Sequence, residues 1–350
     1  VGKLARFGIV GGARVAVQTL GCLPVPIPAN DFIERAIKEL GFAPVRERIV
    51  ARGMLAVADI ERLIAVAPLA VLMKLVELGS QATPQIAPTP IVAVSLTEDS
   101  PDPIGYLAQI KHPELEVLLD QVDLSELGSG LEERIAAIAR AREGLTLVGP
   151  AAEDILAWLQ AQGRRSKALE NLTLSEVVRR LREAGIKRLR ACRDFTALTE
   201  VNSVGLGQSF CTALDRFSNA AALAEHIAAI AAVSGRDGLV SVWFPGLSRS
   251  CGDFPLRGAG LDLMLLRMLA VGTLALPSVS RRRASSRYLS IDFFKVAHLC
   301  GANDFGFGTI DETTRQSLQL QQLVELQKAV PTQAPESKSQ SHERSWRGKS

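Results

Sequence analysis

The sequence predicts an α/β protein: a (β/α) barrel of TIM type, complete or incomplete, with an N-terminal α/β and helical extension. Two observations predict it. From Pro90 onward, short β-branched runs alternate with amphipathic helical patterns, which implies parallel strands joined by right-handed crossovers. Seven strand candidates follow one another at about the spacing of a barrel unit. An open doubly wound sheet is the rival, and no G-x-G-x-x-G follows a strand to support a dinucleotide fold.

The elements read in order as follows. "ARVAVQTL" is a strand candidate near the start. "NDFIERAIKELG" is a helix with Asn30 or Asp31 as cap and Gly41 as stop. "VADIERLIAVAPLAVLMKLVELG" gives two helical pieces broken at Pro68. This extension covers 1–80, and the proline-rich "SQATPQIAPTP" places a linker at 81–89. The barrel domain is expected over 90–330. "PIVAVSL" opens it as a strand, followed by helical patterns at 113–127 and 131–142. The second of these starts with a capping-box pattern, Ser129-Gly130-Leu131-Glu132. "GLTLVGP" is a strand and "AAEDILAWLQAQG" a helix. Thr173-Leu174-Ser175-Glu176 caps a helix whose Leu174, Val177, Val178 and Leu181 share one face, ending at Gly185. "IKRLRA" and "SVGLGQSF" are strands, 219–234 a helix and "GLVSVWFPG" the clearest strand. "GLDLMLLRMLAVG" is a helix, "TLALPSV" a strand, "YLSIDFFKVAHLC" a helix and "GANDFGFG" the last strand. Helical patterns at 311–318 and 320–330 close the domain. The polar tail 331–350 is expected to be disordered.

Composition narrows the function. Hydrophobic residues make up 47% and charged ones 22%, the profile of a folded chain. A net charge of +3 and 5% aromatic residues give no electrostatic or stacking case for a nucleic-acid partner. The most apolar run, 63–73, contains Pro68 and is far shorter than a membrane span, so no membrane partner is expected. No secretory signal is legible, and a cytoplasmic location is the expectation. The five cysteines (Cys22, Cys192, Cys211, Cys251, Cys300) include no C-x-x-C pair and read as free thiols, so no metal site is assigned. The four histidines are equally scattered. No Ser-His-Asp spacing, H-E-x-x-H or P-loop is present, and Asp215, Glu225, Asp253 and Asp292 form no legible acid–base pair, so no catalytic residue is assigned.

One stretch carries a resemblance. "LDLMLLRMLAVGTLALPSV" with "YLSIDFFKVAHLCGANDFGFGTIDE" resembles the C-terminal part of radical S-adenosylmethionine enzymes of the futalosine branch of menaquinone biosynthesis and of their deazaflavin-cofactor relatives. Gly301-Ala302-Asn303-Asp304-Phe305-Gly306, continued by Thr309 and Asp311-Glu312, matches their G-A-N-D strand. "LAEHIAAIAAVSGRDGLVSVWFPG", "LTLSEVVRRLREAGIKRL" and "IVARGMLAVADIERLI" are similar to their helix-turn-strand, mid-barrel and lead-in segments. The resemblance implies a barrel, S-adenosylmethionine and a [4Fe–4S] cluster held by C-x3-C-x2-C after the first strand. Three thiolates must reach one cluster from that loop. Here the loop is "TEDSPDPIGYLAQIKHPE", without cysteine, so neither cofactor is expected. The family's MYGHVE-like stretch corresponds to "TALDRFSN", which lacks its His and Glu. "VAVQTLGC" is similar to the opening strand of methylthiotransferases, without the other residues of that group, and reads as an ordinary strand and turn.

Candidate ligand residues follow from the rule that barrels bind at the C-terminal ends of their strands. They are Gln208, Trp243, Asn303 and Asp304. Arg282 and Arg283 lie in "SVSRRRASSRYL", read as a loop after the seventh strand of the family, where arginine forks suit phosphate or carboxylate. The expected function is a diverged barrel that binds a small anionic or nucleoside-like ligand or partners an intact paralogous radical enzyme. The alternatives are an enzyme of changed, cluster-independent chemistry at the barrel mouth, or a radical enzyme with non-sequential cluster ligands.

Overall fold

A computed structural model describes residues 29–79, 89–96, 103–109, 114–163, 172–190, 195–234, 240–247, 259–285 and 288–308. The expected N-terminal strand, most of the linker, the closing helices and the tail lie outside them. The chain divides between Pro44 and Val45 into two units. In the first, α1 (Ala29–Glu39) carries Asp31 in its first turn and Lys38 in its last, matching the helix dipole at both ends. The chain then turns through Gly41 at φ 68°, a conformation that favours glycine.

The second unit is a closed ring of eight parallel strands in chain order. These are β1 (Thr89–Leu96), β2 (Leu115–Val122), β3 (Leu145–Ala151), β4 (Ile186–Arg190), β5 (Gly207–Ala213), β6 (Val240–Gly246), β7 (Arg281–Ser285) and β8 (Asp304–Gly308). β8 closes on β1 through pairings such as Thr89 with Gly306. The helices after α1 are α2 (Ala43–Val50), α3 (Val57–Val66), α4 (Leu69–Gly79), α5 (Ile104–Gln109), α6 (Leu131–Arg140), α7 (Ala152–Gly163), α8 (Leu174–Glu183), α9 (Phe195–Ser203), α10 (Ala220–Ser234), α11 (Ala259–Ala275) and α12 (Ile291–Val296). α3 packs on α10, and α4 packs on α11. Thus the helical lead-in, broken at Pro68 as expected, covers one side of the barrel. No described helix is long and apolar enough to cross a membrane.

The (β/α) alternation is as the sequence predicts, with local corrections. The helix expected over 113–127 is β2. Its leucines recur at helical spacing, but a strand buried on both faces needs apolar residues at nearly every position and mimics that pattern. "TLALPSV" is not a strand: it finishes α11 and turns through Pro277. Thr273 fits the helix because its hydroxyl lies 2.9 Å from the Leu269 carbonyl oxygen one turn back. The arginine-rich "loop" contains β7 itself. α9 had no counterpart in the reading. Thr173 caps α8 as expected, its hydroxyl accepting from the Glu176 amide at 3.2 Å. At α6 the expected capping box is not formed. Gly130 is the cap at φ 149°, and the Glu132 carboxylate accepts from the Gly128 amide instead.

Candidate ligand site in the barrel interior

Parallel strands give the ring two chemically different ends. Toward the N-terminal end the interior is filled by charge. Glu116 is the second residue of β2, Arg188 the third of β4, Arg281 and Arg283 the first and third of β7, and Asp304 the first of β8. Arg283 grips Glu116 with a two-pronged fork, both contacts 2.7 Å, and its Nε donates to Asp304 Oδ2 at 3.0 Å. Arg188 Nη2 donates to the same Glu116 carboxylate. Arg281 Nε lies 3.1 Å from Asp304 Oδ2. Glu116 is 1% exposed and Asp304 fully buried.

Burial alone would push the Glu116 carboxyl up. The guanidiniums of Arg283 and Arg188 outweigh it and hold the group down at about 2. Arg283 shows the converse: burial disfavours its charge, and Asp304 and Glu116 more than restore it. Arg188 is shifted down, by burial first, with Glu116 opposing and Arg283 and Arg281 adding repulsion. Five strand positions from four strands therefore form one buried ion cluster.

The residues expected to bind ligand fall in five places. Asp304 and Arg283 are in this cluster. Asn303 precedes β8, and its side chain acts as a strand extension. Its Oδ1 accepts from the Arg282 amide at 2.7 Å and its Nδ2 donates to the Ser280 carbonyl at 2.8 Å. Asn303 and Asp304 thus stand at the beginning of β8, at the opposite end from the one the reading assumed. Arg282 points away from the cluster, donating to the carbonyls of Val279 at 2.9 Å and Gly301 at 3.3 Å. It borders a cavity with Ile49, Arg52, Val76 and Thr273. Trp243 is fully buried toward α11, and its indole donates to Thr212 Oγ1 at 2.9 Å. Gln208 is the second residue of β5, fully buried, and neither amide atom has a hydrogen-bond partner.

The C-terminal mouth is built by residues the reading did not single out for binding. Cys211 on β5, Gly246 at the end of β6 and Tyr288 after β7 converge there. A Cβ on Gly246 would lie 2.6 Å from Cys211 Sγ and 2.9 Å from Tyr288 Cε2, so the thiol and ring occupy the space a side chain would need. Tyr288 stacks on Phe244 with centroids 6.5 Å apart and planes 25° apart. Arg190 ends β4, 28% exposed, with Nη2 3.9 Å from Asp154 Oδ2. A stacked aromatic pair suits a planar group, and a guanidinium at the same end of the ring suits an anionic one. The sequence signal for Tyr288 is its rarity, one of two tyrosines, set beside the arginine run.

A [4Fe–4S] cluster does not fit the described donors. Cys211 lies in the C-terminal half of β5, and Cys300 lies just before β8 at the other end of the ring. Burial pushes the Cys300 thiol up to about 12, away from the thiolate an iron site needs. No group of three His, Cys, Asp or Glu side chains among the described residues could hold a metal. Cys22, Cys192 and Cys251 lie outside the described residues.

No protein-family model matches the chain, and no curated protein does. Solved structures do. The chain is similar to HydG, a maturase of the [FeFe]-hydrogenase, at 12% identity and TM-score 0.57, over 85% of this chain and 78% of that one. HydG from Carboxydothermus hydrogenoformans aligns at 12% identity and TM-score 0.59, over 85% and 80%. Methylornithine synthase PylB aligns at 10% identity and TM-score 0.54, over 81% and 95%. At such identities the likeness is one of fold alone: eight parallel strands ringed by helices.

Proposed function

We propose that the chain is a diverged radical S-adenosylmethionine-type barrel, related to the futalosine-branch menaquinone enzymes, that has lost its cluster motif and binds a small anionic or nucleoside-like ligand at the C-terminal mouth. One observation carries the reading. The connection from β1 to β2 leaves the mouth side of the barrel, where the resemblance expects three thiols, and its sequence from Thr97 to Glu114 contains none. Among the described residues, that end carries the Phe244–Tyr288 stack, the Cys211 thiol and Arg190. The stack offers a face to a planar ring, and the guanidinium offers a partner to a negative group.

Anaerobic reconstitution with ferrous iron and sulfide tests the loss of the cluster. The expected product is colourless, with iron at background. A brown protein with thiolate–iron absorption and about four irons per chain, the content of one [4Fe–4S] cluster, would favour the alternative with non-sequential ligands. Native mass spectrometry of freshly purified protein tests the ligand. A small adduct that is lost in Tyr288→Ala supports binding at the mouth. A bare chain that co-purifies with an intact paralogue supports the partner role instead.

A further inference from the structure

The ion cluster does not balance within the described residues. Three guanidiniums, Arg188, Arg281 and Arg283, meet two carboxylates, Glu116 and Asp304. Two buried guanidinium nitrogens of the cluster have no hydrogen-bond partner: Arg281 Nε, which still lies 3.1 Å from the Asp304 carboxylate, and Arg188 Nη1. Arg188 is 6% exposed, and its Nη2 is committed to Glu116, yet its Nη1 is buried without a hydrogen-bond partner. On the neighbouring strand, Ser209 is equally buried at 6%, and its Oγ also has no partner.

These two groups face the same way. Arg188 pairs with Gly207 across β4 and β5, and a Cβ on Gly207 would lie 3.7 Å from Arg188 Cγ. Ser209 is two residues further along β5 and so shares that side, as does Cys211, which meets Gly246 at the mouth. Phe210, with the opposite orientation, packs at a tilt against His226 of α10 outside the ring. A guanidinium N–H of the ion cluster and a hydroxyl, neither with a hydrogen-bond partner, therefore share the inner face of the adjacent strands β4 and β5.

Nature seldom buries such donors unmatched, and a lone buried charge is costlier still. We propose that the carboxylate of the ligand occupies this position, accepting from Arg188 Nη1 and Ser209 Oγ and cancelling the excess positive charge of the interior. This rests on the reading of the barrel as a ligand-binding one, and it narrows the ligand to a singly charged carboxylic acid. Among the described side chains the cluster lacks one negative charge, which a single carboxylate supplies. A dianionic phosphate would overcompensate it.

Formate, the smallest carboxylate, is the probe. The linewidth of ¹³C-formate is followed with increasing full-length protein at constant ionic strength, in wild type, Ser209→Ala and Arg188→Lys. The expected result is saturable broadening in wild type, at least fivefold weaker binding in Ser209→Ala, and none in Arg188→Lys, whose ammonium keeps the charge but cannot serve Glu116 and the ligand as a fork. Sulfate should compete poorly. Absence of saturable broadening in wild type, equal binding in Ser209→Ala, or tighter binding of sulfate than of formate would each overturn the proposal. Should Arg188→Lys not fold, Ser209→Ala decides, because it removes only a hydroxyl. Iron reconstitution reads separately: a cluster would sink the cluster-less reading without touching the formate result, and the reverse also holds.

Discussion

Asn303 shows how one side chain can replace a piece of backbone. Its amide accepts from Arg282 and donates to Ser280, so it carries the β7–β8 ladder one step beyond the first residue of β8. Its own N–H donates to the Arg282 carbonyl at 3.1 Å. The preceding Gly301 sits at φ 88°, and a Cβ there would lie 2.3 Å from Thr273. The Gly-Ala-Asn-Asp run is therefore a close-packed strand start. Asn303→Ala removes the acceptor of a buried amide and the donor to a part-buried carbonyl and should cost about 2 kcal/mol, read as a lowered midpoint in guanidinium denaturation. An unchanged midpoint would refute this account. The sequence marked Asn303 and Asp304 as unusual, but polarity alone does not reveal which end of a strand a residue occupies. That depends on where the strand begins, and the glycines on both sides blur the boundary.

Among the elements, α11 and β6 are tied by a single close approach. Gly272 lies over the Trp243 ring, and a Cβ there would fall 2.1 Å from its Cη2 atom. The indole is fully buried and anchored to Thr212, so it cannot swing away. Gly272→Ala should destabilise by about 2 kcal/mol through overpacking, despite the better helix propensity of alanine, and should shift the tryptophan emission. Equal or greater stability would show that the helix can move outward at no cost. The elements most legible in the sequence were those with one wet face, such as α8, where period and cap agree. The inward-pointing Glu116, Arg281 and Arg283 added to the misreading of β2 and β7. An acidic residue in "LEVLLDQV" and three arginines in a row suggest solvent unless the opposing partners are known, and those come from strands 21 to 167 positions away.

For the whole molecule, the ion cluster makes stability depend on acid. Glu116 is held at about 2 in the fold, against an ordinary value of 4.5. The unfolded chain binds that proton more readily, so the contribution of Glu116 is complete above about pH 5 and is lost as pH falls toward 2. The shift corresponds to on the order of 3 kcal/mol. Between pH 6 and pH 3 denaturation should show about 2 kcal/mol of this loss, the rest following below pH 3, and Glu116→Gln should remove this share of the difference. An identical pH slope in the two proteins would refute it. The barrel as a class was legible from alternation alone. Its interior was not, because its chemistry is assembled from β2, β4, β7 and β8, and no local pattern records that meeting. The same arrangement governs how the chain emerges from a ribosome. Synthesis delivers Glu116 long before Arg283, the fork that grips it, so a nascent chain halted before β7 holds a carboxylate whose chief counter-ion has not yet been made. Ring closure is then a late, vectorial event, and the final strands act as the latch.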